Sequence, residues 1–99
     1  MDIKTTTNDG AITVAPTGHL NTATAPELEE ALQALDPAGS ELVIDLTTVD
    51  YVSSAGLRVI LGAKKRADAA GGTFAVANLC DDVREVFEIT GLADVVEVR

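Results

Sequence analysis

The chain is short of the residues that would tie it to nucleic acid, membrane or metal. Lysine and arginine number seven against sixteen aspartates and glutamates, a formal charge of -9. Such a surface repels a phosphate backbone or an anionic bilayer instead of recruiting it, which argues against direct nucleic-acid or membrane binding. Cysteine occurs once, at Cys80. One thiol forms no internal disulfide, and no Cys/His spacing offers a zinc site, so a reducing cytoplasm fits best. No stretch approaches the ~20 apolar residues of a membrane span. The opening "MDIKTTTNDG" has neither the basic start nor the apolar core of an export signal. Internal repeats and low-complexity tracts are missing as well.

What remains is 99 residues, 46% of them hydrophobic, enough for one modest core and a single domain over 1–99. Ile3 to Thr7 and Ile12 to Ala15 are β-branched runs on either side of Asn8-Asp9-Gly10, the commonest short hairpin signal. Thr24, Pro26 and Glu27 have capping-box spacing, and Leu28, Ala31, Leu32 and Leu35 follow the i, i+3, i+4, i+7 rule of a helix that stops at Asp36-Pro37. "ELVIDL", Glu41 to Leu46, is almost continuously apolar, as expected of a central strand covered on both faces. A second helix spans Ala55 to Ala70, its wide apolar face including Gly56, Leu57, Val59, Ile60, Leu61, Ala63 and Ala67, and Gly71-Gly72 stops it. Thr73 to Ala77 reads as a strand, and Asp82 with Glu85 as the cap of a short helix carrying Val83, Val86 and Phe87 and closed by Gly91. Val95 to Val98 is a last edge strand. The fold class is α/β: a mixed sheet of about five strands, an N-terminal hairpin followed by parallel crossovers, packed with three to four helices.

In such a sheet, ligands and reactive groups collect after the carboxyl ends of the strands, where helix N-termini converge. "VDYVSSAGLRVILGAKKR", residues 49–66, puts Ser53 and Ser54 in such a turn. A serine there accepts the first amide hydrogens of the helix, a cap worth ~1 kcal/mol. A hydroxyl at the positive end of a helix also suits phosphorylation, since free N–H groups and the macrodipole favour the added anion. The spacing alone leaves both readings open. A hydrolase triad of Ser54, His19 and an aspartate fares poorly: a nucleophile elbow has glycine two places before its serine, and that place is Val52. Asp45, Asp50, Asp81 and Asp82 have duller roles as strand-end, turn and cap residues. Lys64-Lys65-Arg66 reads as a solvated helix face. No catalytic, cofactor or metal constellation emerges.

"DLTTVDYVSSAGLRVIL", Asp45 to Leu61, closely resembles the STAS domains of bacterial anti-sigma factor antagonists, the anti-anti-sigma factors. "GHLNTATAPELEEAL", Gly18 to Leu32, and "DDVREVFEITGL", Asp81 to Leu92, resemble other segments of the same family in the same order. The resemblance implies a STAS fold and a phosphorylation-controlled partner switch. The acceptor it implies is Ser54, with Ser53 the alternative. The unphosphorylated form binds a serine kinase that is also the anti-sigma factor, freeing a sigma factor or other output, and a metal-dependent serine phosphatase resets it. Asn21, Ser53, Ser54, Gly56, Leu57 and Arg58 are the implied partner contacts. Many relatives have aspartate where this chain has Ser53 and Asn21. A different class of function, a non-switching STAS subunit or scaffold of a transporter or sensory complex, would leave Ser54 as a cap only.

Overall fold

The expected hairpin is present in the structure, a computed structural model that describes residues 1–35 and 40–99. Strands β1 (Asp2–Asn8) and β2 (Ala11–Leu20) pair antiparallel, with Asn8 opposite Ala11. Asp9 and Gly10 between them have φ of 50° and 81°, the two left-handed residues of a type I′ turn, whose twist matches that of the strands.

β2 runs well past Ala15, and two later strands use its length in succession. β3 (Glu41–Asp45) pairs parallel with Ala11 to Val14, and β4 (Val49–Val52) pairs parallel with Gly18 to Leu20, with a register shift at Gly18/His19 inside that second pairing. With β5 (Thr73–Ala77) and β6 (Glu97–Val98) the sheet has six strands in the order β1-β2-β3-β5-β6, β4 joining at β2. The strand beyond the expected five is β4: its four residues lie so close to the helix that periodicity shows only a lead-in. β6 keeps two of the four residues expected of it, because Leu92–Asp94 forms a 3-10 turn and Val96 enters the core.

β3 lies mid-sheet, as expected, but its two faces differ. Leu42 and Ile44 are buried while Val43 is half-buried, because the helices fill one face. On that face Ile12, Leu42 and Phe74 form one row across β2, β3 and β5, and Val14, Ile44 and Val76 the next. Helices α1 (Ala25–Gln33), α2 (Ser54–Ala69) and α3 (Asp81–Ile89) contribute Leu28 and Leu32, Val59, Ile60, Ala63 and Ala67, and Val83 and Phe87 to this core. The expected stop of α1 at Asp36-Pro37 lies outside the described residues. No described helix is long and apolar enough to cross a membrane.

The caps differ from expectation at two helix starts. Thr24 makes no side-chain cap to α1, and α3 begins after Cys80, so Asp81 and Asp82 both sit inside its first turn, where their charge still favours the positive helix end. The stop of α2 is as expected: Gly71, at φ 78°, donates to Asp68 O and Gly72 to Ala67 O, the paired bonds of a Schellman motif.

Gly56, in the first turn of α2, is buried. A Cβ built there would stand 2.7 Å from Leu20 Cγ and 3.1 Å from the Leu20 carbonyl oxygen, and Leu20 is itself wholly buried. Neither group can retreat, so the helix start must yield. Gly56→Ala is expected to destabilise the fold by about 1–3 kcal/mol, the clash outweighing alanine's better helix propensity. Urea unfolding of the two proteins checks it.

Candidate functional site

The amide of Ser53 donates to the carbonyl of Leu20 at 2.8 Å, so the start of α2 is tied to the end of β2. With φ of -88° and ψ of 173°, Ser53 is the N-cap of α2, and its side chain accepts from the amide of Gly56 at 3.3 Å. Ser54 is the first helical residue; it is exposed, and its hydroxyl has no hydrogen-bond partner among the described residues. The two serines therefore divide the roles. Ser53 satisfies an orphan amide of the first turn, and Ser54 holds a free hydroxyl at the positive end of a 16-residue helix.

Asn21 organises the neighbouring loop. Its Oδ1 accepts from the amides of Ala23 at 2.9 Å and Thr24 at 3.0 Å, and its carbonyl accepts from Ala25 at 2.8 Å. Thr24 is the N-cap of α1 by position, but its side chain caps no helix amide, and the Asn21 side chain instead closes the turn that leads into the helix. Thr24 ties the loop down by accepting from the Asn21 amide and donating to the His19 carbonyl at 2.7 Å. Asn21 Oδ1 and Ser53 Oγ both serve backbone amides as acceptors, a task aspartate would do equally well. Relative to two aspartates, this chain keeps the hydrogen bonds and removes two negative charges.

Leu57 and Leu61, expected within the wide buried face of α2, are only half-buried. They line a groove of about 280 Å³ between α2 and the segment after α3, with Ser54 and Arg58 on the same helix and Thr90 and Leu92 opposite. Arg58 also borders a second groove of about 260 Å³ towards α1, with Thr22, Pro26 and Glu29 on its other wall. Of the expected contact residues, Ser54, Leu57 and Arg58 share the first groove. Ser53 and Asn21 shape the adjoining loops, and buried Gly56 sets how closely helix and strand approach. Thr90 and Leu92 were not singled out from the sequence; they lie more than thirty positions from Ser54, and no local pattern links them to it. Leu61, four residues after Leu57, could have been found from helical spacing.

His19 meets a carboxylate, but in the open: its Nδ1 and Asp50 Oδ1 lie 2.6 Å apart with both side chains about two-thirds exposed. The Tyr51 ring meets His19 edge-on, with centroids 6.2 Å apart. Asp45, at the end of β3, accepts from the hydroxyl and amide of Thr47 and from the side chain of Asn78. The Thr47 hydroxyl bond, opposed by slight burial, holds its pKa below the ordinary aspartate value.

The family model described as the STAS domain matches residues 2–99. The anti-sigma-B factor antagonist of Bacillus subtilis is 35% identical over 98 residues, 99% of this chain and 88% of that protein. Among solved structures, an anti-sigma factor antagonist from Mycobacterium paratuberculosis superposes with a TM-score of 0.87 at 28% identity, over 98% of this chain and 83% of that one. The Bacillus cell fate determinant SpoIIAA in its phosphorylated form, 15% identical, shares the fold with a TM-score of 0.74 over 99% of this chain and 91% of its own.

The division between the serines has a stability signature. Ser53→Ala is expected to lose about 1 kcal/mol with its cap, whereas Ser54→Ala stays within about 0.5 kcal/mol of the parent, as an exposed residue without a partner should; thermal or urea melts distinguish them. Asp45, with its lowered folded pKa, contributes stability that is complete above the unfolded aspartate value and is lost as pH falls through the folded one. Asp45→Asn is therefore expected to be less stable than the parent at pH 7, with the gap closing towards pH 2. Urea midpoints across that range check this.

Proposed function

The chain belongs to the STAS domain family, and on that premise we propose that it is an anti-sigma factor antagonist that exchanges partners through phosphorylation of Ser54. The observation that carries this reading is the pairing at the start of α2: Ser53 is spent on the cap, which leaves Ser54 exposed and unbonded at the groove. A merely structural serine pair would need one hydroxyl, not two.

The unphosphorylated protein binds a serine kinase that doubles as the anti-sigma factor, releasing the sigma factor held by it. Ser54 with Leu57 and Arg58 forms the contact surface on α2, and the Asn21 loop stands beside it. Transfer to Ser54 Oγ replaces the hydroxyl proton with a phosphoryl group and leaves ADP on the kinase. A metal-dependent serine phosphatase restores the hydroxyl. This chain supplies acceptor and docking surface, and the transfer chemistry resides in its partners.

Phosphorylation adds nearly two negative charges at a helix N-terminus, where they are favourable, so release does not require local unfolding. The penalty falls at the interface. A surface shaped for a neutral hydroxyl must desolvate a dianion brought by a protein of net charge -9, and a buried unpaired charge can cost several kcal/mol.

Incubation with ATP and the cognate serine kinase, followed by fragmentation spectra, is expected to place the phosphate on Ser54. Ser54→Ala should take up none and bind the kinase persistently. Ser54→Asp should bind at least about tenfold more weakly, a difference of ~1.4 kcal/mol, while melting with the parent. Phosphate chiefly on Ser53, or an aspartate variant that binds like the parent, refutes the reading.

A further inference from the structure

Ser54 and Arg58 stand four residues apart on α2 and line the same groove, whose remaining walls are Leu57, Leu61, Thr90 and Leu92. Arg58 is the only charged side chain there. It is exposed, and although the chain has sixteen acidic residues, no described carboxylate pairs with it. The described ion pairs join Glu27 to the N-terminus, Asp50 to His19, Asp68 to Lys64, and Glu41 and Glu97 to Arg99. Glu29, across the second groove that Arg58 borders, is also not paired with it.

We infer that Arg58 is the internal counter-ion of phosphorylated Ser54, and that phosphorylation releases the kinase partly by withdrawing Arg58 from it. This rests on the reading of Ser54 as the acceptor. Side chains at i and i+4 are neighbours on a helix, and an anion one turn before a cation is the favourable order. A guanidinium fork matches phosphate oxygens in a bidentate pair, which a neutral hydroxyl cannot engage. Before modification, Arg58 therefore projects from the ridge between two grooves as an uncommitted cation, suited to a carboxylate on the kinase. Afterwards the nearest strong acceptor lies on its own helix. Phosphorylation deposits negative charge on the contact surface and neutralises its one cation in the same step. Glu29 is the other charged group at this ridge; being unpaired with Arg58, it should have little part in the exchange.

The test installs phosphoserine at position 54 by genetic encoding, so that no kinase is needed, and follows its second ionisation by phosphorus NMR. Relative to the phosphorylated parent, Arg58→Gln should raise the midpoint by roughly half a pH unit, since an adjacent cation favours the dianion. Glu29→Gln should leave it in place. Equal midpoints in the parent and Arg58→Gln would overturn the ion pair. Kinase affinity is then measured for the parent and Arg58→Gln, with and without phosphate. Arg58→Gln should weaken the unmodified complex several-fold, and phosphate should weaken it further by a smaller factor than in the parent. The same factor in both proteins would overturn the claim that release acts through Arg58. Undiminished kinase affinity in the phosphorylated parent would overturn the partner switch itself, while the NMR midpoints still decide the ion pair independently.

Discussion

The approach of α2 to the end of β2 is the contact on which the site depends. Gly56 lies where any Cβ would run into Leu20, and the Ser53 amide is bonded to the Leu20 carbonyl. Together these contacts hold the first turn of the helix against the strand end. Both serines inherit their roles from that placement: the chain is extended at Ser53 and helical from Ser54, so Ser53 turns inward to its amide and Ser54 is left on the surface. A helix standing farther off would leave Leu20 uncovered and move Ser54 relative to Thr90 and Leu92. The conformational freedom of glycine is not at issue in this turn; its missing side chain is.

Behind this contact lies the division of β2 between two partners. Because β3 and β4 pair with successive halves of one strand, the chain reaches the end of β2 without a crossover helix between them. The ends of β2 and β4 consequently lie side by side, Leu20 opposite Val52, and deliver the Asn21 loop and the start of α2 to one place. Asp45 secures the turn between β3 and β4 by bonding Thr47, and reaches Asn78 after β5. Asn21 and Ser53 bond backbone amides with neutral oxygens, Ser54 carries a neutral hydroxyl, and Arg58 is the cation beside them, all within a strongly acidic protein.

Much of this was legible in the residues. Asp9-Gly10 dictates its hairpin because few residue pairs accept two positive φ angles, and Gly71 ends α2 because glycine readily takes the single left-handed conformation needed there. Alternating strands and helices lead to a mixed sheet with parallel crossovers, and the Ser-Ser-Ala-Gly-Leu segment points to the start of α2, where both serines lie. These signals are local, each being a preference of a few adjacent residues for particular backbone angles or faces. The caps show where local signals stop. Thr24 has the spacing of a cap, yet its hydroxyl is drawn to the His19 carbonyl, and Asn21 serves the turn ahead of the helix. The run containing Val43 looks buried on both sides, yet only one face of the sheet is filled by helices.

The sequence by itself determined the fold class, the positions of most elements and the identity of the serine pair, because these follow from periodicity, turn chemistry and family likeness along a continuous stretch. Only the tertiary structure decided which serine caps and which is free, since that depends on how α2 meets Leu20. It also decided that Gly56 is a packing residue and that Leu57 and Leu61 border a groove instead of closing a core. The pairing of Ser54 and Arg58 with Thr90 and Leu92 in one groove was settled at the same level. The physical reason is that burial and exposure belong to surfaces brought together from distant parts of the chain, and no spacing within a single helix records what will stand opposite it.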